Sequence, residues 1–403
     1  MPFLDDFLNI TEEAESPRSF FTWAGLAAIS AVMRRNVWVN KRLYRCYPNL
    51  YIMFVANSGL RKGFPVKMAQ KMVEKSETIK VISGQNSIQS IITELSKQWT
   101  SESGKIFRDA QAFIVNDELD ALLISDPSAQ TLLTTLYDSY LQDKWVKTIK
   151  KEGREVLDNL CITLLTATNE DHLESFLDKT SYKGGYLGRT LVVHETKLAR
   201  INPLIGFDDE ETEIDINPLI DYLKKLGEVK GRFSFTKEAV EFYIPWYNEH
   251  MQKIQDKEIK DATGTAPRCG DTVLKLSMCI SLNESPELLI EEEHIKAAVD
   301  LYYRSLGDIT KLVEGRGKSE MADKNRIVMS YLLSKPNYTT SRKQLLSARY
   351  GDIDSNELDR VIETLRGGDI IEVKPDRDGD MIYSITPRYV KLFREAEASR
   401  VRT

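Results

Sequence analysis

Residues 48–68 read PNLYIMFVANSGLRKGFPVKM, and the rest of the chain is interpreted around them. The apolar run 50–55 predicts a buried strand, and the residues from Val66 onward predict an amphipathic helix. A turn between a strand and a helix N-terminus presents backbone N–H groups and the helix dipole to an anion, and a lysine in the turn can reach terminal phosphates. The sequence therefore predicts a nucleotide-binding loop, formed by Asn57, Ser58, Gly59, Leu60, Arg61, Lys62, Gly63 and Phe64.

This loop departs from the standard phosphate-loop pattern, G-x-x-x-x-G-K-[ST]. Ala56 and Arg61 occupy the two glycine positions, and Gly63 stands where a hydroxyl normally binds magnesium. Taken alone, the stretch fits equally well an ordinary strand and helix joined by a turn that glycine permits. The interpretation therefore depends on the rest of the chain.

Strands and helices alternate after the loop. A short strand is predicted at 79–83, and Ser87 is a good N-cap for a helix over 88–98. Alternation at this spacing is typical of a parallel sheet flanked by helices. We therefore expect an α/β core with a parallel sheet.

The next strand, 112–115, ends in a group of polar and acidic residues. Asn116, Asp117 and Glu118 follow it directly. In nucleotide hydrolases one carboxylate at such a strand end binds Mg²⁺, and a second polarises the attacking water. The alternative is an acidic helix N-terminus that the helix dipole favours.

Residues 144–156 alternate apolar and polar side chains around a turn at Glu152 and Gly153, which predicts a β-hairpin. Near its tip lie four cations, Lys147, Lys150, Lys151 and Arg154. Such cations can contact nucleic-acid phosphates without sequence preference. The alternative is a hairpin whose charges are simply solvated.

Two further polar residues adjoin apolar strands. Asn169 follows the strand 160–167, where an amide can orient the attacking water or sense the terminal phosphate. Arg189 follows a glycine-rich turn and precedes the strand 190–193. A guanidinium there can stabilise the charge of a transferred phosphate, in its own chain or in a neighbour.

The remainder of the chain predicts a lid and a small C-terminal domain. Residues 203–230 are acidic and irregular, and 236–312 read as helices, the first of them kinked or broken at Pro245. The polar, glycine-containing segment 313–322 is a plausible linker. Beyond it, three helices and two strands predict a winged helix. The resulting division is a helical prefix at 1–45, a nucleotide-binding core at 46–202, a connection and all-helical lid at 203–312, the linker, and the winged helix at 323–403.

The third helix of this winged helix is amphipathic. Leu358, Val361, Ile362 and Leu365 mark its buried face. Its exposed face is mostly acidic, with Glu357, Asp359 and Glu363 against only Arg360 and Arg366. That charge is poor for entry into a DNA groove, so we expect a protein-docking module at least as readily as a DNA reader.

Composition limits the classes of function. The chain has 403 residues, 42% of them hydrophobic and 29% charged, and a net charge of −6. These values are ordinary for a globular protein of two or three domains. The negative charge argues against a globally basic nucleic-acid coat, so any bound DNA must lie at a local patch.

The sequence also sets an expectation for the compartment. No apolar stretch is long enough to span a membrane, and the N-terminus is acidic, which argues against a secretory signal. The four cysteines, Cys46, Cys161, Cys269 and Cys279, are scattered, as are the histidines. Neither a disulfide framework nor a zinc site is indicated, and we expect a reducing cytoplasm.

Taken in order, these features resemble the P-loop family of phage and mobile-element replication proteins, with the layout of AAA+ helicases of the minichromosome-maintenance kind. The resemblance covers nearly the whole chain. It rests on PNLY and SGLRKG, FIVNDE, the basic hairpin before LLTATN, GGYLGR, the lid segments APRCGDTVLKLSMCIS and EEEHIKAAVDLY, and the C-terminal winged helix.

The resemblance implies specific roles. Lys62 would contact the terminal phosphates of ATP, Asp117 would bind Mg²⁺ and Glu118 would activate water. Asn169 would be the first sensor. The resemblance further implies that Arg189 is the arginine finger and Arg268 the second sensor. It also implies a hexameric ring in which each site is completed by a neighbour, with hairpin lysines gripping single-stranded DNA in the pore. Without a Ser or Thr after Lys62, Mg²⁺ loses a protein ligand. Hydrolysis is therefore expected to be slow or to use a rearranged coordination shell around Mg²⁺.

The expected function is thus an ATP-driven translocase on single-stranded DNA, the replicative helicase motor of a phage or mobile element. A primase or an initiator is the expected partner of the winged helix. The alternative is a helicase loader or initiation adaptor that uses ATP binding as an assembly switch. A winged-helix transcription regulator fits less well, because it leaves the basic hairpin without a role.

Overall fold

A computed structural model describes residues 2–84, 87–116, 127–138, 144–149, 153–173, 185–203, 215–259, 261, 263–376 and 379–391. The chain forms two compact units, Met1–Leu312 and Val313–Thr403.

The first unit begins with two helices, α1 (Phe3–Ile10) and α2 (Arg18–Met33), and two short strands, β1 (Val37–Asn40) and β2 (Arg45–Cys46). The aromatic and aliphatic side chains of α2 are buried. A helix that is apolar on all sides must be covered on all sides. It therefore lies at the centre of the unit's core.

The remaining strands and helices of the core follow along the chain. In order, they are β3 (Tyr51–Val55), α3 (Gly63–Ser76), β4 (Lys80–Ser83), α4 (Ile88–Ser96), β5 (Trp99–Thr100), β6 (Ile106–Phe107), β7 (Gln111–Asn116), α5 (Pro127–Tyr137), β8 (Lys144–Ile149), β9 (Gly153–Asp158), β10 (Cys161–Thr168) and β11 (Thr190–His194). Ser87 caps α4 by accepting a hydrogen bond from the Ser90 backbone.

Five of these strands form one sheet in the order β11-β3-β10-β7-β4, and every pairing in it is parallel. The prediction of a mixed α/β core with a parallel sheet is confirmed. The residues of β3 and β10 are buried throughout, as expected for strands that are covered on both faces.

The segment after the sheet is mostly helical. It contains α6 (Asn217–Glu228), β12 (Gly231–Arg232), β13 (Ser234–Phe235), α7 (Lys237–Gln255), α8 (Cys269–Glu284), β14 (Leu289–Ile290) and α9 (Glu292–Leu333). The prediction of an all-helical lid missed the three short strands. β12 pairs with β1, and β13 pairs with β14. Strands of two residues are too short to show a periodic pattern in the sequence.

Two other predictions about this region concern the continuity of helices. Helix α7 is not broken at Pro245, which lies inside it on an exposed face where water can bond the carbonyl that loses its partner. The backbone is also helical through 313–322, the predicted linker, because α9 runs without interruption to Leu333. Glutamate, lysine, methionine and alanine in that segment favour a helix strongly enough to tolerate its glycines.

The second unit contains the end of α9 followed by β15 (Thr339–Ser341), α10 (Arg342–Arg349), α11 (Ser355–Gly367), β16 (Ile371–Pro375) and β17 (Met381–Ile385). Where the sequence predicted two strands, the antiparallel sheet has three, in the order β15-β17-β16. The predicted buried face of α11 is confirmed, because Leu358, Val361, Ile362 and Leu365 are all buried. Within the described ranges, every helix falls short of the length or the hydropathy that a bilayer crossing requires.

Candidate functional site

The predicted loop and Asn169 lie side by side at the carboxyl edge of the sheet. Val55 at the end of β3 pairs with Thr168 at the end of β10, and the Ala56 N–H donates to the Thr168 carbonyl over 3.4 Å. After β3 the chain crosses to β4, the outermost strand on one side of the sheet. After β10 it crosses to β11, the outermost strand on the other side. A crevice between strands whose connections diverge in this way is where parallel sheets bind ligands.

The loop between β3 and α3 has an unusual backbone. Gly59 has a φ of +94° and Arg61 a φ of +57°, which is the left-handed region that glycine favours. Two contacts from the N-terminal segment hold Arg61 there. Its Nε lies 3.0 Å from Glu15 Oε2, and its carbonyl accepts a hydrogen bond from Ser16 Oγ at 3.0 Å. The position that a glycine usually fills is thus maintained by tertiary contacts.

Lys62 lies at the end of the loop, directly before α3. Its Nζ donates to the Ala56 carbonyl at 2.5 Å and to the Asn57 carbonyl at 3.2 Å. No side chain caps the N-terminus of α3, so its first N–H groups and its dipole are directed at the loop. The loop therefore combines a cation with a helix N-terminus, which is the chemistry that attracts phosphate.

Asn169 follows β10 and caps a short helical turn. Its Oδ1 accepts a hydrogen bond from the His172 N–H at 2.7 Å. With the oxygen committed to this bond, the amide NH₂ group is the end that can donate to an anion. The predicted sensor residue thus lies beside the predicted loop with a donor to offer.

The predicted acidic pair adjoins the same edge in sequence. Asn116 is the last residue of β7, the strand next to β10, and it is buried. Asp117 and Glu118 follow it but lie outside the described residues.

Arg189 and Arg268 lie at the opposite edge. Arg189 precedes Thr190, which pairs with Tyr51 at the start of β3. The strand is five residues long, so the backbone of Arg189 lies about 17 Å from the start of the loop. Arg189 binds Asp138 through two hydrogen bonds of 3.1 and 2.6 Å. Burial and the neighbouring Arg189 lower the pKa of Arg268, whose guanidinium donates to the Gly264 carbonyl.

Both arginines line a cavity of about 220 Å³ with residues that the sequence analysis missed. One is Lys275, which is fully buried. Its Nζ lies 2.8 Å from Asn49 Oδ1 and 3.9 Å from the centre of the Tyr137 ring. In the sequence, a lysine within the apolar run of α8 was the signal that could have indicated this buried residue. Lys41 also lines the cavity and pairs with Asp271 at 3.0 Å.

The predicted basic hairpin is formed by β8 and β9, which pair antiparallel. Lys147 lies opposite Glu155, and Arg154 lies opposite Thr148. Lys150 and Lys151 lie outside the described residues. The hairpin is therefore confirmed as a backbone feature, and its contact with DNA stays a prediction.

The cysteines are not suited to chemistry. All four are free and buried. Burial raises the pKa of Cys46 and of Cys269 to about 12 and that of Cys161 to about 11, and it also raises the pKa of Cys279. Thiols in this state are poor nucleophiles and metal ligands. Among the residues described, His, Cys, Asp and Glu form no group that could hold a metal ion.

The predicted site residues thus form two sets, with Lys62 and Asn169 at the carboxyl edge of the sheet and Arg189 and Arg268 at its amino edge. Neither a scan against family models nor a search of curated proteins finds a match for this chain.

Proposed function

We propose that the chain is an ATP-driven translocase on single-stranded DNA, the motor of a replicative helicase of a phage or mobile element. One observation carries the proposal. The phosphate-binding residues and the two arginines lie at opposite edges of one sheet. A single copy therefore cannot complete the site, whereas copies arranged head to tail can.

At the carboxyl edge, the Lys62 ammonium would exchange the Ala56 and Asn57 carbonyls for phosphate oxygens. This exchange is favourable because a charged acceptor binds an ammonium more strongly than a neutral carbonyl does. Asn169 would donate to the terminal phosphate. Mg²⁺, held by ATP oxygens and by Asp117, would neutralise the charge that develops during transfer.

At the amino edge, the bidentate pair of Arg189 with Asp138 keeps the guanidinium in place until a neighbour's phosphate approaches. Two copies that meet in this way use different surfaces, so the contact is heterologous and generates a ring when the rotation closes. A hexamer is the expected ring. Lys147, Lys150, Lys151 and Arg154 would then grip single-stranded DNA in its pore.

The first test compares Lys62→Ala with Lys67→Ala in ATP hydrolysis stimulated by single-stranded DNA. Lys67 is exposed on the first turns of α3, so it controls for loss of a nearby positive charge. We expect Lys62→Ala to lower kcat/KM roughly 10- to 100-fold, because it removes a charge-assisted hydrogen bond to phosphate. Lys67→Ala should have little effect. A wild-type assembly with no turnover on any DNA contradicts the proposal.

A second candidate function, a helicase loader or initiation adaptor, is favoured by the C-terminal unit. Its order of helices and strands is consistent with a winged helix. On α11, Glu357 pairs with Lys324 and Asp359 pairs with Arg342. Carboxylates held in this way do not favour entry into a DNA groove, and they suit a protein partner such as a primase or an initiator. ATP binding without hydrolysis, together with a stable complex with a separate helicase or primase, distinguishes the loader from the motor.

A further inference from the structure

One hydrogen-bonded pair of side chains crosses the base of the loop at the carboxyl edge of the sheet. Glu170 Oε1 and His194 Nε2 are 2.9 Å apart, and their side chains are 29% and 16% exposed. Glu170 comes directly after Asn169, and His194 is the last residue of β11. The pair is therefore partly shielded from solvent, where such contacts are stronger than at an open surface.

The strand order shows what the pair crosses. β3 lies between β10 and β11. β10 and β11 are therefore two strand spacings apart, which is about 10 Å. Val55 of β3 pairs with Thr168 on one side and with His194 on the other. A side-chain pair from Glu170 to His194 thus spans the end of β3, where Ala56 begins the loop and its carbonyl holds the Lys62 ammonium.

The same pair restrains Asn169 from one side. The amide oxygen of Asn169 is held by the His172 N–H, and the next residue, Glu170, is tied to β11 through His194. The short turn that begins at Glu170 is therefore fixed at both its cap and its first residue. This leaves the Asn169 NH₂ group with little rotational freedom.

The end of β11 does not depend on the pair for its place. The His194 N–H donates to Asp308 Oδ2 of α9 at 3.1 Å, and Glu195 donates from its N–H to the Val55 carbonyl at 3.1 Å. Glu195 also accepts a hydrogen bond from Ser19 Oγ of α2 at 2.6 Å. Removing the Glu170 or the His194 side chain should therefore leave the strand itself in position.

We infer that Glu170 and His194 are positioning residues, which hold the Asn169 amide at the geometry that the terminal phosphate requires. Their role rests on the proposed function, because it concerns the same phosphate site. Neither residue contacts the phosphate in this scheme. The pair acts through Asn169 and through the loop base that it spans.

The test measures DNA-stimulated ATP hydrolysis and the thermal unfolding midpoint for Glu170→Ala, His194→Ala and the double variant. We expect each to lower kcat roughly 10-fold or more, because misplacing a catalytic group by a fraction of an ångström to one ångström is sufficient for this. KM for ATP and the unfolding midpoint should stay close to those of the wild type. The double variant should be no worse than either single variant, because the two residues act as a unit.

Two further variants separate positioning from other roles. Glu170→Gln keeps an oxygen acceptor for His194 and should retain most of the activity. Ser19→Ala removes a hydrogen bond next to His194 without touching the pair, so it serves as the matched control and should behave as the wild type.

The possible failures differ from one another. If all of these variants turn over ATP as the wild type does while Lys62→Ala loses activity, the positioning role is overturned and the proposed function is unaffected. Loss of activity in Glu170→Gln with full activity in His194→Ala also overturns it, because Glu170 would then act on the water itself. A fall in the unfolding midpoint that accounts for the lost activity reduces the pair to a structural role. Absence of turnover in the wild-type chain overturns both proposals before any variant is compared.

Discussion

Arg61 has a backbone conformation that its residue type disfavours. An L-residue with a left-handed backbone costs about 1–2 kcal/mol relative to the right-handed region. The contacts with Glu15 and Ser16 offset part of this cost. The loop is therefore held in shape by the segment between α1 and α2, a dependence that no local pattern reveals.

A pair of substitutions at Arg61 isolates the backbone cost. Both Arg61→Ala and Arg61→Gly remove the contact with Glu15, but only glycine accepts a φ of +57° without strain. Because glycine also gains entropy in the unfolded chain, we expect Arg61→Gly to be the more stable variant by only about 0.5–1 kcal/mol. Urea unfolding of the two proteins measures this difference. Equal stability would indicate that the loop relaxes when the guanidinium is lost.

The buried thiols predict a pH dependence. Because burial raises the pKa of Cys46 and Cys269 to about 12, against an ordinary value of 9.0, both stay protonated in the folded chain at pH 8. A disulfide reagent should label the native protein far more slowly than the urea-unfolded protein. Above pH 9 the unfolded state loses thiol protons that the folded state retains, so the free energy of unfolding should fall as the pH rises. Rapid labelling of the native chain would contradict the burial.

At the scale of the elements, two short turns hold the arginines together. Leu187–Arg189 and Ala266–Arg268 are 3₁₀ turns that meet at Gly188. A Cβ added at Gly188 would lie 2.8 Å from the Thr263 carbonyl and 2.9 Å from that of Gly264. The residue must therefore be glycine for the turns to touch.

We expect Gly188→Ala to lower the free energy of unfolding by about 1–3 kcal/mol, because the two turns must move apart. It should also reduce ATP hydrolysis through displacement of Arg189 and Arg268. Gly307→Ala is the control, since nothing lies within 4 Å of a Cβ at that helical position. An alanine in a helix interior should raise stability by roughly 0.5–1 kcal/mol. A neutral effect of Gly188→Ala would show that the turns are separable.

Strongly periodic elements were predictable and short ones were not. The strands of the parallel sheet, the Ser87 cap and the buried face of α11 follow from local hydrophobic and capping patterns. β12, β13, β14 and β15 were missed because two or three residues contain too little pattern. The continuity of α9 through 313–322 could not be predicted from composition, because glycines and charged residues are also typical of a linker.

For the whole molecule, the separation of the two sets of residues predicts complementation between copies. Lys62→Ala and Arg189→Ala should each hydrolyse ATP at least about 10-fold more slowly than the wild type, because every site in the ring lacks one component. Mixed in equal amounts before assembly, they should recover about one quarter of the wild-type ATP hydrolysis, the share of contacts in which both components are intact in a heterologous ring.

The control for this experiment is a mixture of Arg189→Ala with Arg268→Ala. At each contact between two copies, Arg189 and Arg268 come from the same copy. Every site in this mixture therefore still lacks one of the two arginines, and no ATP hydrolysis should return. Recovery in this control, or none in the first mixture, would contradict a site shared between neighbouring copies.

The sequence by itself determined the α/β class, most of the helices and strands, and the residues at their ends, because hydrophobic period, turn glycines and caps act over a few neighbouring residues. Only the tertiary structure decided which strand ends meet. The strand order, the separation of Lys62 from the arginines and the Glu170 pair with His194 depend on how helices cover both faces of the sheet, which brings together residues as distant in sequence as Lys41 and Asp271. Contacts of that kind arise from packing, and no local pattern encodes them.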